Sequence, residues 1–230
     1  MRFLKPIVAA AFIIALGAVA QQSPPTTAWK SGHFIVDTAG LLSRSDIVLG
    51  QPNTLPEEAM PLGNGRLGVA VWSAGGFTAQ LNRADTLPHR DSPGQLIIPG
   101  LAPLASSRDF NGRLDLYNGT LVERGGGLTV TAYVQVSTDT LVVDVTGADP
   151  NATQTAELRL WPPRTPQATV SGETGQLAQT WVDHYGPGAS GQTFGALAAV
   201  TATGREVSAT VSNPRAVTVT FKPKIGRAHV

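Results

Sequence analysis

The residues of this chain whose types and spacing suit chemistry fall into two clusters. The first is LNRADTLPHRDSPG, in which Asn82, Arg83, Asp85, His89, Arg90 and Asp91 crowd into turn-rich chain. Such a density of fixed donors and acceptors suits a hydroxyl-rich ligand. The second is QTWVDHYGPG, where Asp183 and His184 follow Trp181. An indole there can stack on an apolar ligand face while its two polar neighbours hydrogen-bond hydroxyl groups. A loop tip with a buried indole and exposed polar neighbours is the commoner outcome for such a string.

Hydrolysis of a glycosidic bond by paired carboxyl groups needs the two to face one bond across about 5 to 10 Å. The candidates are Glu57, Glu58, Asp85, Asp115, Asp144 and Asp183. Glu57 and Glu58 are adjacent, so their side chains diverge. Asp115 and Asp144 sit on the polar side of alternating segments, where an exposed carboxylate is ordinary. No residue is therefore assigned as catalytic. His33, His89 and His184 lack the paired spacing of a zinc site. The chain has no cysteine, which removes thiol chemistry and disulfides together. GASGQ (188–192) is not a nucleophile elbow, because Gln192 takes the place of its last glycine. Neither a metal nor a cofactor is expected.

One motif points the other way. Gly63-x-Gly65-x-x-Gly68 has the spacing of a dinucleotide-binding turn, and Asp85 follows at about the right 20-residue distance. That fingerprint also needs a buried strand before it and a helix after it. Upstream, QPNTLPEEAMP carries three prolines and an acidic pair, which a central strand does not tolerate. Downstream, Leu67, Val69 and Val71 alternate until Gly75-Gly76 interrupts them. The glycines read as turn residues launching a strand over Leu67–Ser73, paired as a hairpin with Phe77–Asn82.

The same alternation runs through the rest of the chain. Leu128, Val130, Ala132, Val134 and Val136 recur at every second position, Ser-Thr-Asp turns the chain, and Leu141, Val143 and Val145 resume the pattern. RLDLYNGTLVER, TAELRLW, FGALAAVTAT, REVSATVS and AVTVTF behave alike. Asn118-Gly119, Asp149-Pro150-Asn151, Thr203-Gly204 and Asn213-Pro214 supply their turns. No segment sustains a helical stripe. Many short strands without intervening helices predict an all-β fold, an antiparallel β-sandwich of super-sandwich type, as one domain over residues 29–223. A 42% hydrophobic share in alternating register excludes a disordered linker.

The ends read differently. Residues 1–20 carry Arg2 and Lys5 before an apolar run that closes on Ala18-Val19-Ala20, the pattern of a secretory signal peptide cleaved after Ala20. Residues 21–28 form a linker. A secreted or periplasmic protein with no membrane anchor after cleavage is expected. The last seven residues, KIGRAHV, resemble one translated frame of a short-read sequencing adapter, so 224–230 is expected to be foreign and the natural protein to continue past Pro223. Trimming both ends removes four of the 17 basic residues and leaves 13 against 16 acidic ones, moving the net charge from +1 to −3. No basic patch suggests nucleic acid.

A family resemblance sits on four blocks in order: AMPLGNGRLGVAVW, TAQLNRADTLPHRDSPG, GRLDLYNG and DTLVVDVTG, which cover roughly Glu57 to Gly147. They resemble the N-terminal β-sandwich domain of glycoside hydrolase family 95, the α-L-fucosidase-like enzymes, or a closely allied uncharacterised domain family. Two positions depart from that pattern: Arg83 stands where the family has Glu, and Pro88 where it has Trp. The resemblance implies that the catalytic carboxylates belong to a helical (α/α)6 barrel that follows the sandwich. This chain would then be an accessory domain, inactive alone, whose partners are its own missing C-terminal barrel and carbohydrate. The resemblance also implies that the Asn82–Asp91 loop lines the contact with that barrel. An independent carbohydrate-binding or cell-surface module is the alternative, with Trp181 and Asp85 in the binding role, and a purely structural β-domain is a third.

Overall fold

The period-two segments form antiparallel strands, as their alternating burial requires. The computed structural model describes residues 29–85, 91–184, 188–224 and 228–229. A small hairpin of β1 (Trp29–Lys30) and β2 (His33–Phe34) lies in a unit of its own that ends at Asp37. The unit from Thr38 onward opens with a five-residue helix, α1 (Thr38–Leu42), and β3 (Ile47–Leu49). A meander follows: β4 (Met60–Gly63), β5 (Leu67–Trp72), β6 (Phe77–Arg83) and β7 (Gly94–Ile98). The short helix α2 (Ala102–Ser106) leads to a second meander of β8 (Asn111–Asp115), β9 (Thr120–Gly125), β10 (Leu128–Val134) and β11 (Leu141–Thr146). Next come β12 (Gln154–Arg159), then β13 (Gln167–Ser171), β14 (Thr174–Val182) and β15 (Thr193–Val200). The chain closes with β16 (Arg205–Asn213), β17 (Ala216–Lys222) and β18 (Ala228–His229).

Three sheets result, in the orders β16-β17-β12-β7-β6-β5-β4, β18-β11-β10-β9-β8-β3 and β13-β14-β15. The expected β5–β6 hairpin pairs Leu67 with Arg83 through to Trp72 with Thr78. Its turn needs glycine: Gly75 and Gly76 have φ of 71° and 115°, and a Cβ on Gly76 would run into the Ile98 carbonyl.

The seven-stranded sheet turns one face inward. Met60, Val71, Ala79, Leu96, Leu158 and Val217 are successive cross-strand partners in a single row on that face. They share one hydrophobic core with Leu121, Val130 and Val143 of the six-stranded sheet and with Leu177, Ala198 and Val200 of the three-stranded sheet. The two smaller sheets therefore cover the same face, and the fold is an antiparallel, all-β, sandwich-like one. Each fully buried aliphatic side chain in this core is worth about 1.5–3 kcal/mol, and with no disulfide the core carries the fold. Among the described residues no helix is long and apolar enough to cross a membrane.

The sequence reading needs correction at one point. Val136 is not the last inward residue of β10: it is 88% exposed, because Gln135 N–H donates to the Thr140 carbonyl at 3.0 Å and the residues between form the turn. Trp72 is buried and Trp181 half-buried, but Trp29 and Trp161 are exposed, the latter because β12 has ended and its chain has left the core.

Candidate functional site

The glycine loop is a clasp between sheets. Asn64, between Gly63 and Gly65, accepts the Arg66 and Leu67 N–H groups on Oδ1 at 3.0 and 2.9 Å, which shapes the turn. Its Nδ2 donates to the Gln135 and Thr138 carbonyls, both at 2.9 Å, in the turn between β10 and β11. Gly65 sits at φ 91°, a conformation that glycine adopts without strain. No strand–turn–helix unit surrounds these glycines, and their N–H geometry serves the hairpin.

Beside the clasp the structure brings together Arg83, Asp85 and Asp139. Arg83 donates Nε and Nη2 to the two Asp85 oxygens at 2.7 and 2.6 Å, and Nη1 to Asp139 at 2.6 Å. Arg66 approaches Asp139 at 3.2 Å from the other side. The bidentate fork holds the Asp85 carboxyl below the usual carboxylate range, and the two carboxylates raise Arg83 in turn. Asp139 joins this cluster from 54 positions further along the sequence. Asn82 is exposed beside it, whereas His89 lies outside the described residues. Asp91 pairs with Arg164 at 3.0 Å, and Arg164 in turn reaches Gln179 Oε1 at 2.5 Å.

The second sequence cluster is organised from within. Asp183 is buried, and its Oδ2 accepts the Ser190 N–H and hydroxyl at 2.8 and 2.9 Å. Its backbone accepts from Gly191 N–H and donates to the Gln192 carbonyl. The carboxylate thus ties residues 188–192 to the end of β14. The Trp181 Nε1 is buried without a hydrogen-bond partner among the described residues, so the indole faces protein and offers no donor outward. His184 is exposed.

Two other candidate acids, Glu58 and Asp115, are also engaged locally. Glu58 accepts the Thr54 and Leu55 N–H groups at 3.2 and 3.5 Å, and Asp115 accepts those of Tyr117 and Asn118 in the β8–β9 turn. The Asn118 backbone bond leads in drawing the Asp115 pKa down. The structure adds a carboxyl that sequence reading passed over. Glu123 on β9 is 1% exposed, neither of its oxygens has a hydrogen-bond partner among the described residues, and burial pushes it up to about 7. Its signal was parity, because Leu121 and Glu123 are two apart on one strand and must face the same way. No cluster of three His, Cys, Asp or Glu side chains suited to a metal occurs among the described residues.

An open hollow lies between sheets. β18 pairs with β11 only at Asp144 and Val145, which leaves Leu141, Val142 and Val143 without a strand partner on that side among the described residues. β15 is the edge of its own sheet. Between the two edges opens a cavity of about 530 Å³, floored by Leu81, Leu96 and Leu158 of the seven-stranded sheet and walled by Leu141, Val143, Leu197 and Val200. Arg83 and Asp139 stand among its lining residues.

Fold and site together define a class, an all-β sandwich-like domain with an open slot between sheet edges among the described residues. No protein-family model matches the chain, and no curated protein matches it.

Proposed function

We propose that this chain is the non-catalytic, N-terminal accessory sandwich of a secreted glycoside hydrolase similar to the α-L-fucosidase-like family, and that further polypeptide completes it. The observation that carries the reading is the slot. Paired strand edges flanking an apolar floor are normally covered, because open edges and apolar hollows invite association. The Leu141–Val143 edge of β11 has no strand partner on that side among the described residues, so an added extended segment would pair with it and close the slot. The four motif blocks supply the family, and the N-terminal apolar run, outside the described residues, supplies secretion.

The locus decides the matter. Reading the gene past the codon for Pro223 is expected to reveal a strand-forming segment followed by a long helical region with an inverting acid and base. The extended protein is expected to hydrolyse 4-nitrophenyl α-L-fucoside and the 230-residue chain to leave it intact. A genuine stop directly after Pro223, or hydrolysis by the short chain, overturns the reading.

A further inference from the structure

The outer face of the seven-stranded sheet carries a feature that neither sequence cluster contains. One row beside the apolar row of the inner face, Gln80, Gln95 and Arg159 are successive cross-strand partners on β6, β7 and β12. Period-two geometry turns them all away from the core. Two residues past the end of β12, Trp161 stands 38% exposed. Gln80, Gln95, Arg159, Leu160, Trp161 and Pro162 together line a hollow of about 360 Å³, at the lower end of the roughly 300–1,000 Å³ range of small-ligand pockets.

The polar groups of this hollow are oriented but not used up. Arg159 donates Nε and Nη2 to Gln95 Oε1 at 3.1 and 3.0 Å, which locks the guanidinium and the amide in one arrangement. Among the described residues that leaves Gln95 Nε2 with no acceptor and the Gln80 amide with no hydrogen bond. Arg159 Nη1 lies 3.8 Å from Glu157 Oε1, so the guanidinium charge is offset and the hollow offers no excess positive charge for an anion. An aromatic ring beside a row of planar donors and acceptors of no net charge matches one ligand chemistry. Pyranose rings present C–H bonds on a face and hydroxyl pairs on the rim, the first complementary to an indole and the second to amide and guanidinium edges.

We propose that this outer-face hollow binds a neutral saccharide, with Trp161 as the stacking platform and Gln80, Gln95 and Arg159 as the hydroxyl-binding row. It places sugar recognition on the opposite face of the sheet from the slot, so it stands or falls independently of any polypeptide that fills the slot. The half-buried Trp181 and the ion-paired Asp85 have no part in it.

The test uses the full chain and a panel of neutral oligosaccharides: cellohexaose, xylohexaose, mannohexaose and galactohexaose. Titration calorimetry and tryptophan fluorescence are expected to show saturable binding to at least one of them. Trp161→Ala is expected to weaken it at least tenfold, Gln95→Ala several-fold, and Trp161→Phe less than Trp161→Ala. Trp161 is exposed, so circular dichroism of the Ala variant is expected to match the parent. Adding 0.5 M NaCl is expected to leave the affinity unchanged, as befits a neutral ligand. No saturable signal with any of the four sugars overturns the proposal, as does binding that survives Trp161→Ala undiminished. Binding abolished by salt overturns the choice of a neutral ligand.

Discussion

Trp181 and Trp161 both mark the end of a strand and both have polar companions, yet the fold treats them in opposite ways. Around Trp181 the polar groups turn inward: Asp183 is buried on Ser190, and Gln179 donates Nε2 to the Ser92 carbonyl at 2.8 Å. Around Trp161 they lie on an open face, with Arg159 and Gln95 fixed by each other and their remaining edges outward. A dense polar string in sequence thus became internal fastening. Recognition capacity appeared instead where residues far apart in sequence fell into one row.

The comparison can be sharpened by measuring what each polar group contributes to stability, and the largest effect is expected at an inward group with no hydrogen-bond partner among the described residues. Glu123 has its pKa raised from 4.5 to about 7 in the folded state. The unfolded chain therefore releases this proton first as pH rises, so stability is full below about 4.5 and falls until about 7. That difference corresponds to about 3 kcal/mol. Glu123→Leu is expected to recover that amount at pH 8, and much less at pH 4, in urea unfolding; equal effects at both pH values would break the argument. Asp183→Ala comes next, with a loss of about 2 kcal/mol, because the Ser190 groups lose a charge-assisted acceptor beneath the surface. Thermal denaturation checks it, and an unchanged midpoint would mean the tie is ornamental.

Arg83→Ala is expected to cost less, about 1 kcal/mol, since its side chain is 29% exposed and Asp85 is 61% exposed. Most of that cost should vanish in 1 M salt, where the Debye length falls to about 3 Å. Smallest of all, Trp161→Ala is expected to shift stability by no more than about 0.5 kcal/mol, as for a surface substitution, whatever it does to sugar binding. A large destabilisation there would erase the contrast with Trp181 and return Trp161 to the core.

How far these regions were legible in the sequence follows from the range of the forces involved. Strands and turns are local: the alternation Leu67, Val69, Val71 and the Gly75-Gly76 pair specify a hairpin with no knowledge of the rest, and the β5–β6 register agrees with it. Arg83 and Asp85 were visible as neighbours for the same reason. Asp139 was not, because it reaches Arg83 only after two meanders have folded onto one another. The Gln80–Gln95–Arg159 row needs the register of β6, β7 and β12 together, and β12 enters the sheet only after a second meander has been completed elsewhere. Trp161 gave no sign of its exposure, since apolar composition cannot tell which indole the chain carries past the end of its strand.

The Asn64 clasp carries one more consequence. Its amide is shared between a loop of the seven-stranded sheet and a turn of the six-stranded one, so neither can loosen without stranding polar groups of the other. The two layers should therefore melt as a single cooperative unit, with calorimetric and van't Hoff enthalpies in agreement. Cutting this one side chain back to alanine should broaden the transition before it displaces it.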